Sequence, residues 1–83
     1  MDRHQAEEMM RNEGLLNFAL FENPEHGDAD KVLLYEADGR WHTAITSEHG
    51  SILPRTVREF DSESAALADM IDGLRVLKKS AEL

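Results

Sequence analysis

The sequence has no cysteine. This excludes a disulfide framework and any thiolate metal site, and it suits a reducing compartment. No stretch approaches the roughly 20 consecutive apolar residues of a membrane span. The opening MDRHQAEEMMRNE is polar and lacks the apolar core of a signal peptide. Bases are scarce, nine against 17 acids, for a net charge of −8. Such a field repels phosphate backbones and anionic lipid. Neither nucleic acid nor membrane is therefore an expected partner, and a cytoplasmic location is expected. Glycine-rich phosphate loops are also missing, since GDAD and GSIL lack both the pattern and its lysine. At 83 residues the chain has room for one domain, residues 1–83, with a core too small to enclose a large cleft. Its 41% hydrophobic and 31% charged residues are those of a folded chain rather than a disordered one.

Asp2 to Glu13 has the pattern of a helix. Asp2 is placed to cap it, Ala6, Met9 and Met10 share a face, and Gly14 follows its end. In LLNFALFE (15–22), Leu16, Phe18 and Leu20 alternate with polar or small residues, which predicts a strand. NPEHGDAD (23–30) carries a proline, a glycine and acids and reads as an exposed loop. Residues 31–48 form two β-rich runs around Ala37-Asp38-Gly39, a hairpin. A two-residue Asp38-Gly39 turn pairs Glu36 with Trp41. A three-residue loop pairs Glu36 with Arg40 and Tyr35 with Trp41, and is preferred because it matches acid with base and aromatic with aromatic.

SILPRTVREF (51–60) contains Pro54, which cannot donate a ladder hydrogen bond, and predicts an irregular edge segment. Residues 60–83 form a helix with Asp61 as its expected cap, a stripe of Leu67, Met70, Ile71, Leu74 and Leu77, and Lys78 and Lys79 at the negative pole. The expected fold is α+β, in the order α-β-β-β-(β)-α. It is an antiparallel meander of three to four strands covered on one face by the helices, with the other face wholly or partly open.

Motifs with chemistry are few. Glu48-His49 in TSEHGSILP sets a carboxylate beside an imidazole, but neighbours on a strand diverge, and no nucleophile elbow surrounds Ser47 or Ser51. Turn-tolerant residues make the stretch a strand connection. His4, His26, His42 and His49 lack zinc-site spacing and are expected at the surface. No catalytic residue, metal or cofactor is assigned. Arg55, Arg58, Arg75, Lys78 and Lys79 read as solvated counter-charges. Tyr35 and Trp41 serve either as core or as an exposed anchor.

Tyr35, Gly39 and Trp41, then Glu48 with Gly50, then Phe60 and Glu63 with Ala66 and Leu74 give the stretch 31–77 a further character. It resembles the small immunity proteins of bacterial polymorphic-toxin systems, in which a strand ends in tyrosine before a glycine turn and a tryptophan, followed by an acidic turn and a capped acidic helix. His49 stands where that pattern has arginine. The resemblance implies a non-catalytic cytosolic antidote that binds one cognate toxin domain, often a nuclease, and blocks it. A basic toxin fits the acidic charge. The expected contacts are Glu22, Glu25, Asp28, Asp30, Glu36 and Asp38 for steering, Tyr35 or Trp41 for anchoring, and Glu48 at the rim. The alternative is a small structural or regulatory protein that self-associates, as a homodimer, through the open face or the edge near Pro54 and Val57.

Overall fold

The computed structural model describes residues 1–21 and 29–82. Helix α1 (Arg3–Asn12) starts at Asp2. The Asp2 carboxylate accepts from the Gln5 amide at 2.8 Å, and the Gln5 side chain accepts from the Asp2 amide at 3.0 Å. The two satisfy each other's orphan donors as a capping box. The helix gives way at Gly14, whose φ of +71° is the left-handed conformation that ends many helices. Helix α2 (Glu63–Ala81) is capped by Ser62, whose Oγ accepts from the Ala65 amide at 3.1 Å. The expected cap, Asp61, is one residue too early. The preceding strand runs through Phe60, so Asp61 occupies the bend and its carboxylate turns to Arg40 instead.

Between the helices lie β1 (Ala19–Leu20), β2 (Val32–Ala37), β3 (Arg40–Ile45) and β4 (Arg58–Phe60), side by side in that order. The order of elements, α-β-β-β-β-α, is the expected one, but the sheet is mixed. β2–β3 and β3–β4 are antiparallel, whereas β1 runs parallel to β2 through Ala19↔Val32 and Leu20↔Leu33. Eleven residues, 21–31, separate β1 from β2. That is close to the dozen a parallel connection requires and far beyond a tight hairpin. The predicted strand over 15–22 is also cut short. Leu16–Phe18 form a 3₁₀ turn, and Leu15, its amide bonded to the Met10 carbonyl at 2.7 Å, is buried beneath the helices. The alternation of apolar residues there serves a descent from helix to sheet, which a short period-two pattern does not distinguish from a strand.

Pro54 opens a second 3₁₀ turn (Pro54–Thr56), where its fixed φ is an advantage, and β4 follows as the edge strand expected of this segment.

Both helices cover one face of the sheet. The α2 stripe of Ala66, Leu67, Met70, Ile71 and Leu74 is buried with Ala6 and Met10 of α1, Leu15, and Val32 and Leu34 of β2. Alternation sets Trp41, Thr43 and Ile45 of β3 on this same side, opposite Glu36, Leu34 and Val32. Leu33 and Ala44 are cross-strand partners on the other side and are also buried, so that face is only partly open.

Electrostatic ties join the helices at the far end of α2. Arg75 donates twice to the Glu13 carboxylate at 2.8 Å, and Lys78 donates to the Glu13 carbonyl at 2.6 Å. The hydrogen bonds from Arg75, with the charges of Arg75 and Lys78, hold the Glu13 carboxyl below the ordinary glutamate range against an opposing desolvation effect. The contribution of this pair is complete above the unfolded glutamate pKa and is lost as pH falls through the lowered one. Thermal melts between about pH 6 and pH 3 therefore show Arg75→Ala less stable than the parent at the upper end, with the gap closing toward the lower end. Leu74→Ala removes a side chain from the centre of the core, and urea unfolding shows a loss of about 2–5 kcal/mol.

Candidate functional site

The β2–β3 hairpin closes with Asp38 and Gly39 at φ of 55° and 76°. Positive φ at both central residues marks a two-residue turn whose twist matches the strands. The pairs are consequently Ala37↔Arg40, Glu36↔Trp41 and Tyr35↔His42. The preferred three-residue loop, with its Glu36–Arg40 and Tyr35–Trp41 pairs, is not formed. Turn geometry outweighs the cross-strand pairs that the longer loop offered.

Freed from Glu36, Arg40 reaches across to β4. Its Nε lies 2.7 Å from a Glu59 oxygen and its Nη2 lies 2.6 Å from an Asp61 oxygen. The Asp61 side chain remains 93% exposed. Glu36 and Asp38 are exposed and meet no cation among the described residues. One end of the sheet thus carries Glu36, Asp38, Glu59 and Asp61, of which only Glu59 and Asp61 pair with the Arg40 guanidinium.

The remaining predicted contacts lie elsewhere. Asp30 is exposed at the opposite end of the ladder, where its amide donates to the Ser47 carbonyl at 3.2 Å. Glu48 sits beside it in the Ser47–Ser51 turn, closed by the Ser47 amide bonding the Ser51 carbonyl at 2.7 Å and by Gly50 at φ 81°. Glu48 and His49 approach to 3.5 Å with their side chains 81% and 82% exposed. A six-residue strand separates this end from the hairpin turn by about 20 Å. Glu22, Glu25 and Asp28 lie outside the described residues.

The two aromatic candidates are on opposite sides of the sheet. Trp41 is half-buried on the helix side, and the Arg3 guanidinium sits 6.0 Å from its ring and 5.0 Å from that of Phe21. Arg3 is held there by Glu63 at 3.0 Å. Tyr35 lies on the other side, stacked on His42 with ring centroids 5.0 Å apart and planes at 12°. His42 is therefore not a surface histidine. Its side chain is only 12% exposed, with Nε2 3.5 Å from Glu59 and a buried Nδ1 that meets no hydrogen-bond partner among the described residues.

Most arginines expected as counter-charges are so employed: Arg58 pairs with Asp69 at 2.9 Å and Arg75 with Glu13. Among the described residues no cluster of three or more histidines or carboxylates could hold a metal ion, and no helix is long and apolar enough to cross a membrane.

Glu59 and Asp61 are not among the acids expected from the sequence to meet a partner, yet they lie beside the hairpin. They join the hairpin end only because β4 pairs antiparallel with β3, bringing Phe60 opposite Trp41. Trp41 reports on its own setting: Arg3→Ala uncovers the indole, and its fluorescence maximum moves to longer wavelength in the folded protein. Comparison of the chain with protein-family models, with characterised proteins and with solved structures finds no match.

Proposed function

We propose that this protein is a non-catalytic binding module that neutralises a basic partner, as an immunity protein neutralises its cognate toxin domain. A nuclease suits the reading because a cleft that binds phosphate is itself basic. The observation that carries it is the hairpin end, where four carboxylates share one arginine: Glu59 and Asp61 pair with Arg40, while Glu36 and Asp38 meet no cation among the described residues. The disposition of bases supports it further. Arg3, Arg40, Arg58, Arg75 and Lys78 are each drawn to the protein's own acids, so the excess negative charge faces outward.

Charge of this kind acts first on encounter, drawing a basic surface in from a distance and discriminating against acidic ones. Contacts at short range then set the lifetime of the complex. Tyr35 and Trp41, split between the two faces, do not form one anchor. The hairpin rim, with the neighbouring exposed Glu59 and Asp61, is the surface best suited to docking. Self-association through β4 is opposed by its three-residue length and by the exposed Arg58 and Glu59 upon it.

The test begins with co-purification from the native host at low salt, which should retain a basic effector domain. With that domain in hand, the Glu36→Lys, Asp38→Lys double variant should lower the association rate by about tenfold or more at low ionic strength, with little change in dissociation. Retention of no basic protein, or an association rate indifferent to both salt and charge reversal, overturns the reading.

A further inference from the structure

We propose that the cleft between α2 and the Pro54–Thr56 turn binds a small apolar carboxylate, an aliphatic or aryl chain ending in one carboxyl group. The cleft has a volume of about 350 Å³, within the range of small-molecule sites. Val32 and Ile45 of the sheet and Val76 of α2 give it apolar surface, and Val76 is 68% exposed there.

The polar groups in the cleft select the ligand's head. The backbone of β3 is already satisfied: the Ile45 amide donates to Thr56 Oγ1 at 2.9 Å, and its carbonyl accepts from the Leu53 amide at 2.9 Å. An added strand therefore finds no partner here. Asp69 is equally committed, accepting from Arg58 at 2.9 Å and from Thr43 at 2.7 Å. Asp72, at the rim, leans toward Arg75 at 3.7 Å. Arg55 lines the cleft and meets no carboxylate among the described residues. Arg58, also in the lining, is paired with Asp69, and the Asp72 carboxylate is 78% exposed beside Arg75. Arg55 is the guanidinium left without an acid, and its planar fork suits a carboxylate.

Gly73 is an independent observation. It lies inside α2, where glycine is the poorest helix former after proline. Its backbone has no positive φ, and a Cβ placed there would meet the Val32 methyls at 3.7 Å, an ordinary contact. Neither conformation nor packing demands glycine. Its missing methyl instead deepens the cleft it lines, letting an occupant approach the helix backbone.

The probe is 4-phenylbutyrate, with 4-phenylbutylamine and 4-phenylbutanol as controls, followed through backbone amide shifts of the full chain. The acid should shift the amides of Ile45, Thr56, Gly73 and Val76 with a Kd on the order of 1 mM, as expected for a ligand of this size. Arg55→Gln should weaken it by about fivefold or more, through loss of a charge-assisted contact. Gly73→Ala should raise the melting temperature yet weaken binding by about tenfold, since the methyl favours the helix and fills the cleft. Charge reversal at Glu36 and Asp38 should leave the titration unchanged, which separates this site from the hairpin end. The proposal is overturned by absence of cleft shifts at about 10 mM probe, by equal binding of the amine, or by a stabilised Gly73→Ala protein with undiminished affinity.

Discussion

Burial of one stripe of α2 against β2 organises the molecule. Leu67, Met70, Ile71 and Leu74 are buried against the side of the sheet carrying Val32 and Leu34, together with Ala6 and Met10 of α1 and Leu15. Each fully buried side chain of this kind contributes about 1.5–3 kcal/mol relative to exposure. In a domain this small, few alternatives compete with that total. Once α2 lies there, alternation assigns every residue of β2 and β3 to a side. Trp41 must face the helices beneath Arg3, and Tyr35 must face away onto His42. Gly73 is brought over Val32 by the same contact.

The charges follow from the packing. With so few bases, each arginine placed near an acid by the fold is consumed locally: Arg75 ties α1 to α2 and Arg58 ties β4 to α2. These exposed pairs add little stability individually. Their larger consequence is on the field outside the protein, since neutralised bases leave the remaining acids uncompensated. At the hairpin end that excess is local and dense. Opposite it, Asp30 and Glu48 form a smaller and separate group. Among the described residues, the acids expected to steer a partner are therefore divided between the two ends of the sheet.

Both helices were legible because their signals reinforce one another. Asp2 caps α1 ahead of an apolar face ending at Gly14, and a stripe at helical spacing with lysines at its end defines α2. The hairpin was legible in its two strands but not in its register. The sequence offered a choice between good side-chain pairs and good turn geometry. Asp38 and Gly39 both adopt positive φ, and a shift of one residue turns each side chain of a strand to the other face. That single difference separated Tyr35 from Trp41 and sent Arg40 to Glu59 and Asp61. β1 was the least legible element, because residues 15–20 have too few alternations to separate a strand from a 3₁₀ descent, and its parallel pairing depends on partners distant in sequence.

The sequence by itself determined the acidic balance, the absence of thiol chemistry, the two amphipathic helices and the presence of a glycine hairpin, since each is written in composition or short-range periodicity. Tertiary structure alone decided the direction of β1, the side on which each aromatic lies, the gathering of Glu59 and Asp61 at the hairpin end, and the cleft over Gly73. These depend on contacts between residues far apart in the chain. Only the burial of α2 against the sheet, with the strand pairings it accompanies, brings such residues within reach of one another.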